Sequence, residues 1–301
     1  KAANQNLQEE NKLQSPQVKD SLIYYEDNFL RYSNYIYKNT IKTVQLHRKD
    51  WELSAPIIKL NSDEQLSFAF DDLVSDALDY RYTLIHCDAN WQESKIEPMD
   101  YLEGFTEGRI TEFSFSFNSL QEYVHYELIF PEEDMKCTKS GNYIIKVYAD
   151  DPDRPAISWR FMVMDPALSI QADIRKASRI NDMNKRQELD FTIQSTGLRI
   201  EDPLRNLYTV LLQNWRWDNA IYNLKPRFIK GNEFDYNYED VNSFRGGNEF
   251  RPLDIKSLKY QAVNIQSFKN DDKGLHVYLY PDKKKNINAY EFIHDINGKY
   301  I

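Results

Sequence analysis

A strict alternation of apolar and polar side chains is the feature that most constrains the fold of this chain. It is clearest in EFSFSFN, where Phe113, Phe115 and Phe117 point one way and Ser114 and Ser116 point the other. A period of two residues is typical of an antiparallel strand with one buried and one solvated face. We therefore expect a half-buried strand here, with the three Phe side chains in a core.

The same alternation recurs along the chain and predicts an all-β protein. In the first half it is seen in LSFAF, YRYTLIHC, YVHYELIF and ISWRFMVM, and turn signals such as Gly141-Asn142 and DDPDRP separate the runs. About seven short strands in roughly 125 residues is the number typical of an immunoglobulin-like β-sandwich. In the second half, ELDFTIQS and LHVYLY continue the pattern and predict a second antiparallel β-sandwich.

Three segments are predicted along the chain. Residues 1–22 are rich in Gln, Asn, Lys and Glu and are expected to form a polar leader or tether. Residues 23–165 form the first domain and residues 166–301 the second, because the proline of Asp165-Pro166 breaks a strand ladder and the alternation restarts after it. The chain stops directly after a turn signal, so we expect the second domain to be truncated at its C-terminus.

The charge balance argues against a nucleic-acid-binding protein. The chain has 47 acidic and 38 basic residues and a net charge of -9, whereas phosphate binding needs a basic stripe. No run of about 18 apolar residues occurs, so the sequence contains no transmembrane helix and no secretory h-region. The chain begins at Lys1 without Met, which is compatible with a signal peptide that has been removed.

The sequence offers no strong candidate for a catalytic or metal centre. His86 and Cys87 are adjacent on one predicted strand and point to opposite faces, so they are not expected to share a metal ion. The carboxylate clusters at residues 71–72, 132–134 and 150–153 lie where strands end, as in polar loop tips. The motifs G-x-S-x-G and H-E-x-x-H are absent. Enzyme activity therefore has no positive support in these residues, and we predict no catalytic residues, no cofactor and no metal.

The two cysteines, Cys87 and Cys137, have two interpretations. They form a disulfide in an oxidising compartment, or they are two buried thiols in a reducing one, and the residues themselves leave both open. The immunoglobulin signature does not choose between them, because its Trp is well separated from the first Cys, whereas Trp91 follows Cys87 closely.

Aromatic side chains in NWRWDNAIY are candidates for contact with a ligand. Trp215, Trp217 and Tyr222 lie near a strand-turn boundary, where aromatic rings stack on sugars or anchor a protein interface. The alternative is that one Trp belongs to the core and the other flanks a hairpin.

Several runs, taken in order, resemble the type IX secretion system plug protein family of Bacteroidetes, formerly a domain of unknown function. They are FAFDDL, YRYTLIHCDANWQES, DYLEGF, EFSFSFNSLQEYVHYEL, SGNYIIKVY, RFMV and LLQNWRWDNAIYNLKPRF, and the resemblance covers roughly residues 25–301. It implies an exported protein in the periplasm, with its signal peptide removed, that is peripherally associated with the outer membrane. It further implies a non-enzymatic protein that docks at the periplasmic opening of the translocon barrel and keeps it shut. The family offers no catalytic residues to carry over.

Two functions of different classes are therefore predicted. The first is sealing of the type IX translocon, with the outer-membrane barrel protein as partner and no direct membrane span or nucleic acid. The second is an envelope carbohydrate-binding module that uses exposed Trp and Tyr. For partner binding we predict the loop at residues 88–94 and the NWRWDNAIY run, with the residues Asp88, Asn90, Trp91, Trp215, Trp217 and Tyr222.

Overall fold

The computed structural model describes residues 29–183, 186–246, 255, 257, 264–272 and 274–281. The predicted leader, residues 1–22, and the predicted C-terminal truncation lie outside these residues. The chain divides into two compact units, residues 1–166 and 167–301, and the described part of each is built mainly of strands. The predicted all-β fold is confirmed.

Short strands and a helical turn make up the first unit. In chain order they are β1 (Tyr35–Ile36), β2 (Ile41–Arg48), β3 (Ile57–Lys59), β4 (Leu66–Asp72), β5 (Arg81–Cys87), α1 (Pro98–Tyr101), β6 (Leu102–Gly104), β7 (Gly108–Arg109), β8 (Glu112–Phe115), β9 (Val124–Phe130), β10 (Met135–Cys137), β11 (Gly141–Tyr148) and β12 (Ile157–Met164).

Two main sheets form the first unit. One has the order β2-β4-β9-β8, and the other has the order β1-β12-β11-β5-β7, with β3 added parallel to β12. The first order corresponds to strands A, B, E and D of the immunoglobulin fold, and β5, β11 and β12 correspond to its strands C, F and G. The predicted immunoglobulin-like β-sandwich is therefore confirmed, and β8 is its edge strand D.

Aromatic side chains join the two sheets in a common core. Phe130 of β9 packs edge-on against Phe161 of β12, with ring centroids 5.2 Å apart. Tyr80, just before β5, packs edge-on against both Phe70 of β4 at 5.1 Å and Tyr126 of β9 at 5.0 Å. Strand alternation in LSFAF and YVHYELIF sets these rings on the inner face of their sheet.

Edge strand β8 departs from the sequence-based expectation. It pairs with β9 in antiparallel fashion as predicted. However, Phe113 and Phe115 are 47% and 59% exposed, and Phe117, beyond the end of the strand, is 96% exposed. The prediction that these three rings lie in a core is wrong. The reason is that β8 is the last strand of its sheet. Side chains on the inner face of this strand are not fully covered by the facing sheet.

The second unit contains a larger sheet and two hairpins. The sheet has the order β13-β14-β18-β17, with β19 also paired to β14, and the hairpins are β15–β16 and β20–β21. The elements are β13 (Leu168–Lys176), β14 (Arg186–Ser195), α2 (Pro203–Asn206), β15 (Val210–Gln213), β16 (Arg216–Tyr222), β17 (Phe228–Lys230), β18 (Glu233–Asp235), β19 (Ser243–Arg245), β20 (Ile265–Asp271) and β21 (Gly274–Leu279).

A separate core holds the second unit together. Phe191 of β14 stacks on Tyr236 with ring centroids 4.4 Å apart. Leu211 of β15 belongs to the same buried cluster, and Ile221 of β16 packs against it. The β15–β16 hairpin therefore covers one face of the sheet, which agrees with the predicted second antiparallel β-sandwich.

Candidate functional site

The first predicted contact region is the loop at residues 88–94, directly after β5. One oxygen of the Asp88 carboxylate accepts hydrogen bonds from the backbone N–H groups of Asn90 at 2.8 Å and Gln92 at 3.0 Å. The Asp88 N–H donates to the Gln92 carbonyl at 2.8 Å. Short Asp side chains favour turns of this kind because they reach their own backbone two residues on. The loop thus has one defined shape, in which Asp88 and Asn90 are exposed.

Trp91 lies in the same loop, but only 3% of its surface is exposed. The guanidinium of Arg160, from β12, lies over the indole at 4.3 Å from the ring centroid, which is a cation–π geometry. The Nε and Nη2 atoms of Arg160 donate to the Tyr32 carbonyl at 2.9 and 2.7 Å. Trp91 and Arg160 therefore attach both the loop and the Tyr32 segment to the sheet. The buried indole is therefore not part of the surface that this loop presents to solvent.

His86, at the end of β5, is enclosed by neighbouring groups. Its Nδ1 lies 2.8 Å from Ser94 Oγ, and its Nε2 lies 3.2 Å from the Ser140 carbonyl oxygen. Its ring packs edge-on against Tyr143 at 5.0 Å. In the part of the chain that the structure describes, no group of three or more His, Cys, Asp and Glu side chains is placed to hold a metal ion.

Cys87 and Cys137 are free thiols in this structure. Burial raises the pKa of each thiol to about 12, because a thiolate loses its hydration away from water. Reactive cysteines have the opposite character, with a lowered pKa and an accessible sulfur. Neither thiol therefore has the character of a nucleophile.

The second predicted contact region is the β15–β16 hairpin of the second unit. Asn214 and Trp215 form its two-residue turn, between the paired residues Gln213 and Arg216. Their φ angles are 54° and 58°, and a positive φ at both positions is typical of a type I′ hairpin turn. Trp215 thus lies at the tip of the hairpin, where it is 49% exposed.

The two faces of this hairpin have different environments. Leu211 and Ile221 are paired and face the core of the second unit. Val210 and Tyr222 form the neighbouring pair on the opposite face, where Tyr222 is 46% exposed. Trp217 is half-buried. The hairpin therefore presents Trp215 and Tyr222 to solvent and holds Trp217 partly inside.

The six predicted residues fall into two groups. Asp88, Asn90 and Trp91 belong to the first unit, and the other three belong to the second. Sequence analysis missed a third surface, the exposed Phe side chains of β8. A signal for it was present, because EFSFSFN lacks the Lys and Pro residues that commonly protect an exposed strand edge.

Comparison with protein families finds a match in the first unit. Residues 41–165 match the family model described as type 9 secretion system plug protein 1st domain. The first unit is therefore similar to the first domain of that family. The resemblance to type IX secretion plug proteins is thereby confirmed, and the plug family points to a non-catalytic structural role in type IX secretion.

Comparison with solved structures extends the likeness beyond these residues. A hypothetical protein from Parabacteroides merdae ATCC 43184, with a crystal structure at 2.30 Å resolution, is 29% identical with a TM-score of 0.81. The match covers 91% of this chain and 69% of that chain. A DNA glycosylase from Pseudomonas fluorescens, AlkC bound to DNA with an abasic site analog, aligns over 40% of this chain and 30% of that chain. Its 15% identity and TM-score of 0.23 carry no argument.

A search of curated proteins finds no match. Within the described residues, no helix has both the length and the apolar character needed to cross a membrane.

Proposed function

We propose that this protein is a non-enzymatic plug that seals the periplasmic opening of the type IX secretion translocon. The observation that carries the proposal is the match of residues 41–165 to the first domain of the plug family. The partner is then the outer-membrane barrel protein of the translocon. The corresponding location is the periplasm of a Bacteroidetes cell, at the inner surface of the outer membrane, after export and removal of a signal peptide.

The defined geometry and the exposed side chains of the two predicted contact regions support a role in protein binding. The loop at residues 88–94 is fixed by the Asp88 carboxylate and by the anchored Trp91, and it presents Asp88 and Asn90 without a further loss of backbone freedom on binding. The β15–β16 hairpin presents Trp215 and Tyr222. Exposed Trp and Tyr side chains are the residue types most enriched at binding hot spots.

Co-purification from a strain that secretes through this system tests the proposal. A tagged chain extracted in mild detergent is expected to bring down the outer-membrane barrel protein. Deletion of the gene is expected to raise the entry of vancomycin, which is too large for ordinary porins, and the wild-type chain is expected to restore resistance. Recovery of the chain alone, or a deletion strain with unchanged entry, would refute sealing.

Variants at the two regions show which surface touches the barrel. Trp215→Gly removes the indole while keeping a residue that adopts a positive φ readily, so the hairpin turn is preserved. Asp88→Asn keeps a carbonyl oxygen for the Asx turn and removes only the charge. We expect each variant to fold normally and to lower barrel recovery. The matched surface variant Asp153→Asn, on an exposed turn outside both regions, serves as control.

A carbohydrate-binding module remains the second candidate, because Trp215 is exposed at a hairpin tip. Sugar rings stack on such indoles and change their fluorescence. A glycan array and a fluorescence titration with wild-type protein and with Trp215→Gly test this function. A glycan-dependent signal that the variant lacks would favour it, and a blank array with unchanged fluorescence would remove it.

A further inference from the structure

Edge strand β8 ends its sheet with aromatic rings that the described chain covers only in part. Phe113 and Phe115 are paired with Tyr126 and Val124 of β9, which are both fully buried. The Phe113 ring lies 5.8 Å from that of Phe115 and 5.9 Å from that of Tyr126. We call Phe113, Phe115 and Phe117 the edge stripe. It continues the apolar inner surface of the sheet into solvent.

The backbone of β8 also has an open side. Ser116 N–H donates to the Tyr123 carbonyl at 2.9 Å, so this pair is hydrogen-bonded across to the β9 side. Antiparallel ladders alternate between hydrogen-bonded and non-hydrogen-bonded pairs. The N–H and C=O groups of Phe113 and Phe115 therefore point away from β9. Among the described strands, none pairs with this side of β8.

Natural sheets commonly block such an edge, and β8 does not. Lys, Pro or a β-bulge on an edge strand prevents pairing with another chain. Residues 112–120, EFSFSFNSL, contain no Lys, Arg or Pro, and the register of β8 on β9 is regular. Open backbone groups beside exposed Phe rings form a surface that an added strand completes, since the backbone gives affinity and alternate side chains give specificity.

We propose that β8 is a docking edge for an extended strand of a partner protein. The added strand bonds to the free N–H and C=O groups of Phe113 and Phe115 and sets an apolar side chain at every second position over the edge stripe. This goes beyond sealing, because it assigns a binding mode to a third surface. It rests on the proposed function only for the identity of the chain that supplies the strand.

Charges beside the edge specify the partner strand further. Glu112 lies directly opposite Glu127 in the ladder, and both are exposed. The described ion pairs of this unit involve other residues. Like charges directly opposite each other on two strands are unfavourable. A Lys or Arg on the added strand beside Glu112 relieves this repulsion, so the partner strand is expected to carry a basic residue at that position.

Two other occupants of this edge fit less well. A second copy of β8 brings no cation to Glu112, because residues 110–123 contain no Lys or Arg. A bilayer would cover the Phe rings but would leave the open N–H and C=O groups without partners in hydrocarbon. Membrane-surface segments also tend to carry basic residues, whereas the charges here are acidic.

A labelled peptide tests the proposal on the full chain. The probe is a ten-residue peptide that alternates Val with Thr and has one Lys placed to face Glu112 in antiparallel pairing. Fluorescence anisotropy measures its binding, and hydrogen exchange measures protection of the Phe113 and Phe115 amides. We expect binding together with protection of these two amides. Replacement of the peptide Lys by Glu is expected to weaken binding about two- to fivefold at low salt, as for an exposed ion pair.

Two substitutions of Phe115 separate the contribution of its backbone N–H to peptide binding from that of its ring. Phe115→Ala removes a ring of the edge stripe and keeps its N–H. Phe115→Pro removes the ring and the N–H together. It leaves the backbone hydrogen bonds between β8 and β9 intact, because the N–H of residue 115 points to the open side. We expect about tenfold weaker binding for the Ala variant and a further loss of about tenfold for the Pro variant, as for a hot-spot contact. Circular dichroism confirms that both variants are folded.

Several results would overturn the proposal. They are absence of peptide binding, equal affinities of the Ala and Pro variants, and binding without protection of the two amides. A dimer of the free chain that Phe115→Pro abolishes would assign the edge to a second copy. Binding to neutral lipid vesicles that Phe115→Ala abolishes would assign it to a membrane. None of these results depends on the translocon. A failure of the strand-docking proposal can therefore be distinguished from a failure of the proposed sealing function.

Discussion

Single residues fix the geometry of the first unit, and Gly104 at the end of β6 is one that cannot be replaced. A Cβ at this position would lie 2.0 Å from the Asp134 carbonyl oxygen, and its φ is +95°. Gly104→Ala is expected to lower the free energy of unfolding of the first unit by about 2–4 kcal/mol, because backbone strain and a clash with backbone are combined. Hydrogen exchange of the buried amides of β4 and β9 measures the loss.

Gly197 provides a matched control for this change. Its φ is +88°, similar to that of Gly104, but no atom of the residues that the structure describes lies within 4 Å of an added Cβ. Gly197→Ala should therefore lower the free energy of unfolding of the second unit by about 1 kcal/mol, from backbone strain alone. Hydrogen exchange of the β14 amides measures this loss. Equal losses at both glycines would show that the contact with Asp134 has no energetic effect.

The buried Cys87 and the partly buried Cys137 are both expected to resist modification in the folded protein. With a pKa of about 12 for both Cys87 and Cys137, almost no thiolate is present at pH 8, and the thiolate is the reactive form. Iodoacetamide at pH 8 should leave both unmodified, and the same treatment in denaturant should alkylate both, as followed by mass spectrometry. Alkylation of the folded protein at the denatured rate would contradict the burial of these side chains.

These thiols also give stability a dependence on alkaline pH. Their pKa is raised from 9.0 in the unfolded chain to about 12 in the folded one. The contribution of the two neutral thiols to the free energy of unfolding is therefore complete below about pH 9. It is lost as the pH rises from there toward 12. Urea unfolding of wild-type protein and of Cys87→Ala between pH 7 and pH 10.5 checks this. The stability of the variant should fall less steeply over that range.

Sequence patterns suggest candidate contact residues but do not reveal whether those residues are exposed. Trp91 and Trp215 both follow the end of a strand in polar surroundings, and both were predicted to contact a partner. Arg160, far away in the sequence, covers Trp91, whereas the two-residue turn holds Trp215 at a hairpin tip. Burial of the first Trp depends on a tertiary contact that no local pattern encodes.

At the scale of elements, the loop after β5 depends on the side chain of Asp88. Asp88→Ala removes the acceptor of the Asn90 and Gln92 N–H groups, so exchange of both amides should become faster and stability should fall by about 1–2 kcal/mol. Asp88→Asn retains a carbonyl acceptor and should keep both amides protected. Hydrogen exchange with residue resolution measures the two variants side by side. Equal exchange in Ala and Asn variants would show that other contacts hold the loop.

Alternation predicts strands well and predicts their environment less well. LSFAF and EFSFSFN have the same period, and both form antiparallel strands in one sheet. β4 lies between two strands and its Phe68 is buried, whereas β8 is an edge and Phe115 is exposed. The position of a strand in its sheet is a property of the whole topology. The period alone therefore predicts which face a side chain takes, and not whether that face is covered.

At the scale of the molecule, the sequence runs that resemble the plug family form strands and loops of the structure. YRYTLIHCDANWQES supplies β5 and its loop, and EFSFSFNSLQEYVHYEL supplies β8 and β9. The order of these runs along the chain predicted the family, whereas the alternation within them predicted the strands. Six of the runs lie in the first unit, and LLQNWRWDNAIYNLKPRF contains the β15–β16 hairpin of the second unit. The partner surface was less accessible to prediction, since it depends on which edges and loops the completed sandwich leaves uncovered.

Each unit has its own buried core, and this leads to a prediction about the first unit alone. Among the residues that the structure describes, the cluster that includes Phe68, Tyr126, Tyr143 and Phe161 is built from residues before 166. A chain of residues 1–166 is therefore expected to fold by itself, since its described sheets and core consist of its own residues. It should unfold cooperatively on heating, and its β4, β9 and β11 amides should be protected to within about 1 kcal/mol of the full chain. A fragment without a cooperative transition, or with these amides unprotected, would show that the first sandwich requires the rest of the chain.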